Sequence, residues 1–264
     1  NTYVDIKGGH ILTSVYGGNE HTDVGSYDRE RNLIEGTGHC TVTMSGGTLG
    51  VPRTLEQIAA HPVTCYMFGA GKGDQRVLFN TWTNVGSANV TVNGGTIYGS
   101  VFGGGEDGHI LGNDTVNIGG TAKIGTWGTS YVDGNIFGGG RGFSGDAQTA
   151  GTVGGNVSMN ISGGLILGSV YGGGRLASIG THFTSPDANE YGQLMEDEDG
   201  HTHGYVTVNI TGGTICKAGV TGAGAEHSGN VFGGSMGRET LLNGKINPIW
   251  PKLAQSKFST VNIS

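Results

Sequence analysis

The feature that most constrains this chain is a repeated run in which glycine pairs bracket β-branched and aromatic residues. It reads GGHILTSVYGG at Gly8–Gly18, GGTIYGSVFGGG at Gly94–Gly105 and GGLILGSVYGGG at Gly163–Gly174. Three split copies join the GGT runs at Gly46, Gly119 and Gly212 to YMFGAG at Tyr66, NIFGGG at Asn135 and NVFGGS at Asn230. β-Branched and aromatic side chains suit a pleated strand, whereas glycine weakens one. The two are reconciled if strands form walls and glycines turn the corners, because glycine reaches backbone angles that a Cβ disfavours. Six such units fill nearly the whole chain, so a repeat architecture governs the reading.

Each unit opens with alternating apolar and small polar residues: YVDIK at Tyr3, TVTMS at Thr41, NVTVN at Asn89, DTVNI at Asp114, VSMNI at Val157 and YVTVNI at Tyr205, with STVNIS following at Ser259. Period two is the signature of a strand with one buried face. The polar position between the last two apolar residues is Asp5, Thr43, Thr91, Asn117, Asn160, Asn209 and Asn262 in turn. Parallel stacking in register predicts a column of these residues, with amides and hydroxyls bonded from turn to turn. In TIYGSVFG, Ile97 and Val101 share the inward face.

The predicted fold class is all-β: a parallel β-helix or β-solenoid of six irregular glycine-rich units with inserted surface loops, of either hand. An antiparallel roll or sandwich of glycine-rich hairpins is the alternative. Units close quickly at Gly8–Tyr16, Gly94–Phe102 and Gly163–Tyr171, while Gly46–Phe68, Gly119–Phe137 and Gly212–Phe232 carry insertions. Only LEQIAA, residues 55–60, reads as briefly helical. Residues 1–264 are expected to form a single repeat domain, a segment of a longer protein or fibre, because NTYVDIKGG starts inside a unit and STVNIS stops where other units supply glycines. Unpaired edges at both ends predict an end-to-end homo-oligomer.

Composition narrows the function classes. Glycine supplies 55 of 264 residues with only 5 prolines and no glycine at every third position, which excludes collagen. A formal charge of −7 with 13% charged residues argues against a nucleic-acid partner. No apolar run is long enough to cross a membrane as a helix. The three cysteines cannot all pair internally; a Cys40–Cys65 disulfide is one arrangement, with Cys216 left over.

Two sets of residues are candidates for ligand chemistry. The recurring aromatics Tyr16, Phe68, Phe102, Phe137, Tyr171 and Phe232 could form an exposed ladder for a sugar, joined by Trp82 and Trp127 in adjoining loops, although coil-to-coil packing explains the same rings. The acidic loop 186–204 holds Glu196, Asp197, Glu198, Asp199, His201 and His203, a set able to hold calcium or another divalent ion if HTH is extended; its plainer reading is a solvated acidic loop. Paired carboxylates for polysaccharide cleavage would come from Glu106, Asp107, Asp133, Asp146 and Asp187, but adjacency in sequence fixes no cleft geometry. GAGKGD at Gly69 lacks the pattern and following helix of a phosphate loop.

GGTIYGSVFGGG, GGLILGSVYGGG and GNVFGGSMGR resemble the glycine-rich repeats of large secreted or surface proteins of gut Bacteroidetes and, more broadly, the passenger regions of β-helical adhesins. The resemblance spans all six units and implies an extracellular or bacterial cell-surface scaffold or filament. It carries over no catalytic residue, and no enzyme is expected. A carbohydrate-binding or adhesive module is the main competing expectation, and a polysaccharide-active β-helix enzyme the second.

Overall fold

The computed structural model describes residues 1–54, 56–57, 65–74, 83–126, 134–142, 150–180, 203–216, 228–237, 241–242, 245–246 and 254–264. The alternating segments all form strands: Thr2–Ile6, His39–Met44, Ser87–Val92, Asp114–Ile118, the first halves of Val157–Ile166 and Tyr205–Ile215, and Phe258–Ile263. They lie side by side in chain order, parallel and in register, so that Val4, Val42, Val90, Val116, Met159, Val208 and Val261 form one row.

After a glycine corner comes a second ladder of His10–Ile11, Thr48–Leu49, Thr96–Ile97, Lys123–Ile124 and the second halves of the two long strands. A third ladder joins Val15–Tyr16, Met67–Phe68, Val101–Phe102, Ile136–Phe137, Val170–Tyr171 and Val231–Phe232. A fourth pairs Asn84–Val85 with His109–Ile110 and continues through bridges at Val153 and Ile179. The protein is therefore nearly all strand, built of parallel sheets that the chain visits repeatedly in one order. The antiparallel alternative is set aside: among the described residues, antiparallel pairing is confined to Leu241–Leu242 with Lys245–Ile246 and to the Tyr27–Leu33 bridge.

Side chains from all four ladders point into a common apolar core. Val42, Val90, Val116 and Met159 from the first ladder meet Leu49, Ile97, Ile124 and Ile166 from the second. Val101, Ile136 and Val170 come from the third, and Val85, Ile110, Val153 and Ile179 from the fourth. Burial of these rows from turn to turn is the main stabilising term, at roughly 25 cal/mol per Å² of apolar surface.

Glycine has two separate jobs. The second glycine of each corner pair (Gly9, Gly47, Gly95, Gly120, Gly164 and Gly213) has φ between 54° and 91°, a region that side chains disfavour. The glycine after each aromatic instead permits close approach. A β-carbon at Gly69 would lie 1.9 Å from the Gly103 carbonyl oxygen and 2.8 Å from a Val90 methyl.

The Cys40–Cys65 pairing expected as one arrangement does not occur, and none of the three cysteines is in a disulfide. Cys40 stands in an inward column between Thr2 and Ala88, while Cys65 packs beneath Gly50.

Gly103→Ala is expected to destabilise the fold by about 1–3 kcal/mol or more, because its β-carbon would meet the Gly138 carbonyl at 2.4 Å and a Val116 methyl at 2.6 Å. Gly8→Ala, with no atom within 4 Å and no positive φ, serves as the near-neutral control. Urea midpoints of the two variants check the contrast.

Candidate functional site

The third ladder consists of two-residue strands, so its side chains divide cleanly. Val15, Met67, Val101, Ile136 and Val170 enter the core, and the following aromatic points the other way. Parallel pairing then superimposes ring on ring. Centroids of Tyr16, Phe68, Phe102, Phe137, Tyr171 and Phe232 follow one another at 5.0, 5.0, 4.6, 4.9 and 4.8 Å, with interplanar angles of 19° or less. The spacing of adjacent strands, about 4.8 Å, sets this distance.

The stack does not present the exposed platform that sugar binding requires. Phe68, Phe102 and Phe137 are at most 1% exposed, and a neighbouring ring covers each of their faces. Tyr66 closes the side, meeting Phe68 and Phe102 edge-on at 5.9 and 5.7 Å. The two end rings are less enclosed: Tyr16 is half-buried against Phe68, and Phe232 is 44% exposed with Tyr171 against one face. Trp82 and Trp127 lie outside the described residues.

A polar cluster borders the first turns of the stack. The Tyr16 hydroxyl donates to Glu106 Oε2, and Arg141 Nη1 donates to Glu106 Oε1. The Arg141 guanidinium also sits 5.5 Å from the Tyr66 ring centroid, within cation–π range. Burial, followed by the Glu106 contact, pushes the Tyr16 phenol above its ordinary range. Asp107 is buried beside this cluster, with Oδ1 lacking a hydrogen-bond partner. Burial and then the Glu106 charge push its carboxyl up to about 7, against the pull of Arg141. Glu106 is thus engaged by two partners while Asp107 is enclosed. Asp133, Asp146 and Asp187, the other candidate carboxylates, lie outside the described residues.

Of the proposed metal set, Glu196, Asp197, Glu198, Asp199 and His201 fall outside the described residues, and His203 is half-buried beside Gly204. Among the described residues no group of three or more His, Cys, Asp or Glu side chains is arranged to hold a metal ion.

The predicted polar column of the first ladder is present in full register. Thr43 Oγ1 donates to Asp5 Oδ1 at 2.8 Å, and Asn117 Nδ2 donates to Thr91 Oγ1 at 3.3 Å. Asn160, Asn209 and Asn262 each donate to the preceding asparagine, at 3.0, 2.9 and 2.8 Å. Every one of these bonds runs from the later turn to the earlier. Asp5, an acceptor when ionised, fits the start of such a chain.

A second polar column is inside the protein and was not anticipated. Ser14, Ser100, Asn135 and Ser169 precede the third-ladder strands, and each side-chain oxygen accepts the backbone N–H of the equivalent residue in the next turn. The signal was the Ser or Asn of the recurring [SN]-[VI]-[FY]-G run. Asp114, like Asp107, departs from satisfied polarity. It occupies the inward column between Ala88 and Val157, 1% exposed, with neither carboxyl oxygen hydrogen-bonded. Burial pushes its carboxyl well above the usual range, opposed only by the Thr115 amide.

These carboxyls give a pH signature. The unfolded chain releases their protons near pH 4, whereas the folded chain holds them to higher pH. The stability these two carboxyls contribute is therefore fully present below about pH 4 and falls as pH rises, with the Asp107 share lost by about 7. Asp114, raised in the same direction, adds to the fall as pH rises. Asp114→Ala, which copies Ala88 of the preceding turn, is expected to flatten this slope and raise the urea midpoint at pH 7. Phe137→Leu, which loses two ring contacts, is expected to cost about 1–3 kcal/mol at every pH, measured the same way.

No family model, curated protein or solved structure matches this chain.

Proposed function

We propose that the chain is a β-solenoid segment serving as an extracellular structural scaffold, displayed at a bacterial surface or built into a fibre. Its glycine-rich units are of the kind seen in large secreted and surface proteins of gut Bacteroidetes. The carrying observation is that side-chain ladders run from turn to turn and satisfy themselves. Rings inside the aromatic stack have both faces covered, and the asparagine amides donate to the turn before. A binding or catalytic site instead converges free polar groups or open ring faces on a ligand. Here those groups face the next turn.

A scaffold gives no saturable binding on a broad glycan panel and no turnover of polysaccharides. Hydrogen exchange is expected to find the amides of Val42, Val90, Val116 and Val208 opening together as one cooperative unit. Saturable glycan binding abolished by Phe232→Ala would make the chain a carbohydrate-binding module instead. Reducing-end release from a polysaccharide would make it an enzyme.

A further inference from the structure

The outer side of the first ladder is regular, polar and free of charge. Its strands from His39–Met44 to Tyr205–Ile210 alternate strictly, so every second side chain points away from the core. Two straight columns result. One is the polar column already described, from Thr43 to Asn209. Beside it run Thr41, Asn89, Thr115, Ser158 and Thr207, matched residue for residue. Each of these side chains is half-buried or exposed. None is charged, although the chain carries 14 Lys and Arg and 21 Asp and Glu. Asp5, which continues the polar column into Thr2–Ile6, is paired with Lys7 at 3.1 Å.

The hydrogen-bonding groups left over on this side are self-complementary. Asn160 and Asn209 each donate one amide hydrogen to the turn before and accept one bond from the turn after. Each therefore keeps a second N–H and a second lone pair. The hydroxyls of Thr41, Thr115, Ser158 and Thr207 make no hydrogen bond to any described residue. A groove of about 380 Å³ separates Thr115, Ser158 and Thr207 from Asn113, Asn156 and Tyr205. Its far bank is fixed too: Asn113 Oδ1 accepts the Asn156 N–H and Asn156 Oδ1 the Tyr205 N–H, at 2.9 and 3.0 Å. Both banks repeat at the strand spacing of about 4.8 Å, so what fits the groove at every turn is another column of small side chains with that spacing.

In-register sheets with identical side chains and low charge pair face to face by interdigitation of this kind. In a chain of net charge −7, the uncharged side is also where two copies approach with least repulsion. We infer that the outer side of the first ladder is a lateral interface, on which a second copy of the chain lays the same side, each copy's column from Thr41 to Thr207 entering the other's groove. A self-complementary patch of this kind is joined by a two-fold axis. The inference rests on the scaffold reading and gives that scaffold its side-by-side partner. Strands about 4.8 Å apart, taken over five strands and five residues of about 3.3 Å each, give a patch of roughly 400 Å² per copy, about half of what a stable dimer uses. The pair is therefore weak and forms at high concentration.

Sedimentation equilibrium of the full chain up to about 1 mM is expected to show dimers that tighten with added salt, because the repelling charges lie off the contact. Ser158→Glu and Ser158→Lys each set like charges against one another and are expected to weaken dimerisation at least about tenfold, while a one-to-one mixture of the two recovers it. Thr13→Glu, exposed away from this side, changes the net charge equally and is expected to leave dimerisation within about twofold. Asn89→Glu and Asn89→Lys, at the most exposed place in the column, repeat the charge swap should the Ser158 variants fail to fold. A monomer at every concentration, a dimer that salt dissolves, or dimerisation that the Ser158 variants leave unchanged would overturn the inference. So would an equal loss with Thr13→Glu. The scaffold reading is decided separately by the glycan panel and hydrogen exchange: a monomer that binds no glycan removes the lateral contact and leaves the scaffold.

Discussion

Backbone amides of one turn bond to carbonyls of its neighbour in register, which places equivalent residues about 4.8 Å apart. Everything else in the protein depends on that distance. It is close to the stacking distance of aromatic rings and it lets one asparagine amide reach the next, so a residue type that recurs turn after turn becomes a continuous ladder. The same distance is unforgiving in the interior. Where the Gly69 corner rests on the Gly103 carbonyl there is no room for a single extra carbon, and so the richest residue in the composition is also the least replaceable there.

Interior columns show how the fold tolerates departures from its rule. Thr2, Cys40, Ala88, Asp114, Val157 and Val206 occupy one column, and only Asp114 brings a group with no suitable partner. A carboxyl held neutral is less costly than a buried charge, but still worse than the alanine one turn away. Its presence is a local cost carried by the rows of valine and isoleucine on either side.

Much of the first ladder was legible in the sequence because alternation over five or six residues has few alternative explanations. The column from Asp5 to Asn262 followed from that register, as did the glycine corners. The fourth ladder was not legible: Asn84–Val85, His109–Ile110, Val153 and Ile179 are too short to show a period and sit among loop residues. The enclosure of the aromatic stack was hidden for a different reason. Period two says that Phe102 faces away from the core, but not that Tyr66 and the adjacent rings will cover it. Residues such as Arg141 and Glu106 come together from different turns, and no spacing within one unit announces that meeting.

The compact turn that runs from Ala88 to Asn113 carries every ladder position without an insertion. Excising it whole would set Cys40 opposite Asp114, Thr43 opposite Asn117 and Phe68 opposite Phe137, which are the same kinds of neighbour that each has now. Excising an odd number of residues from within a strand would instead turn its apolar side outward. Heritable change in such a chain is therefore quantised. On the solenoid reading proposed above, gain or loss of one whole unit keeps the strand register, so the length of the stack is free to change while its cross-section stays fixed.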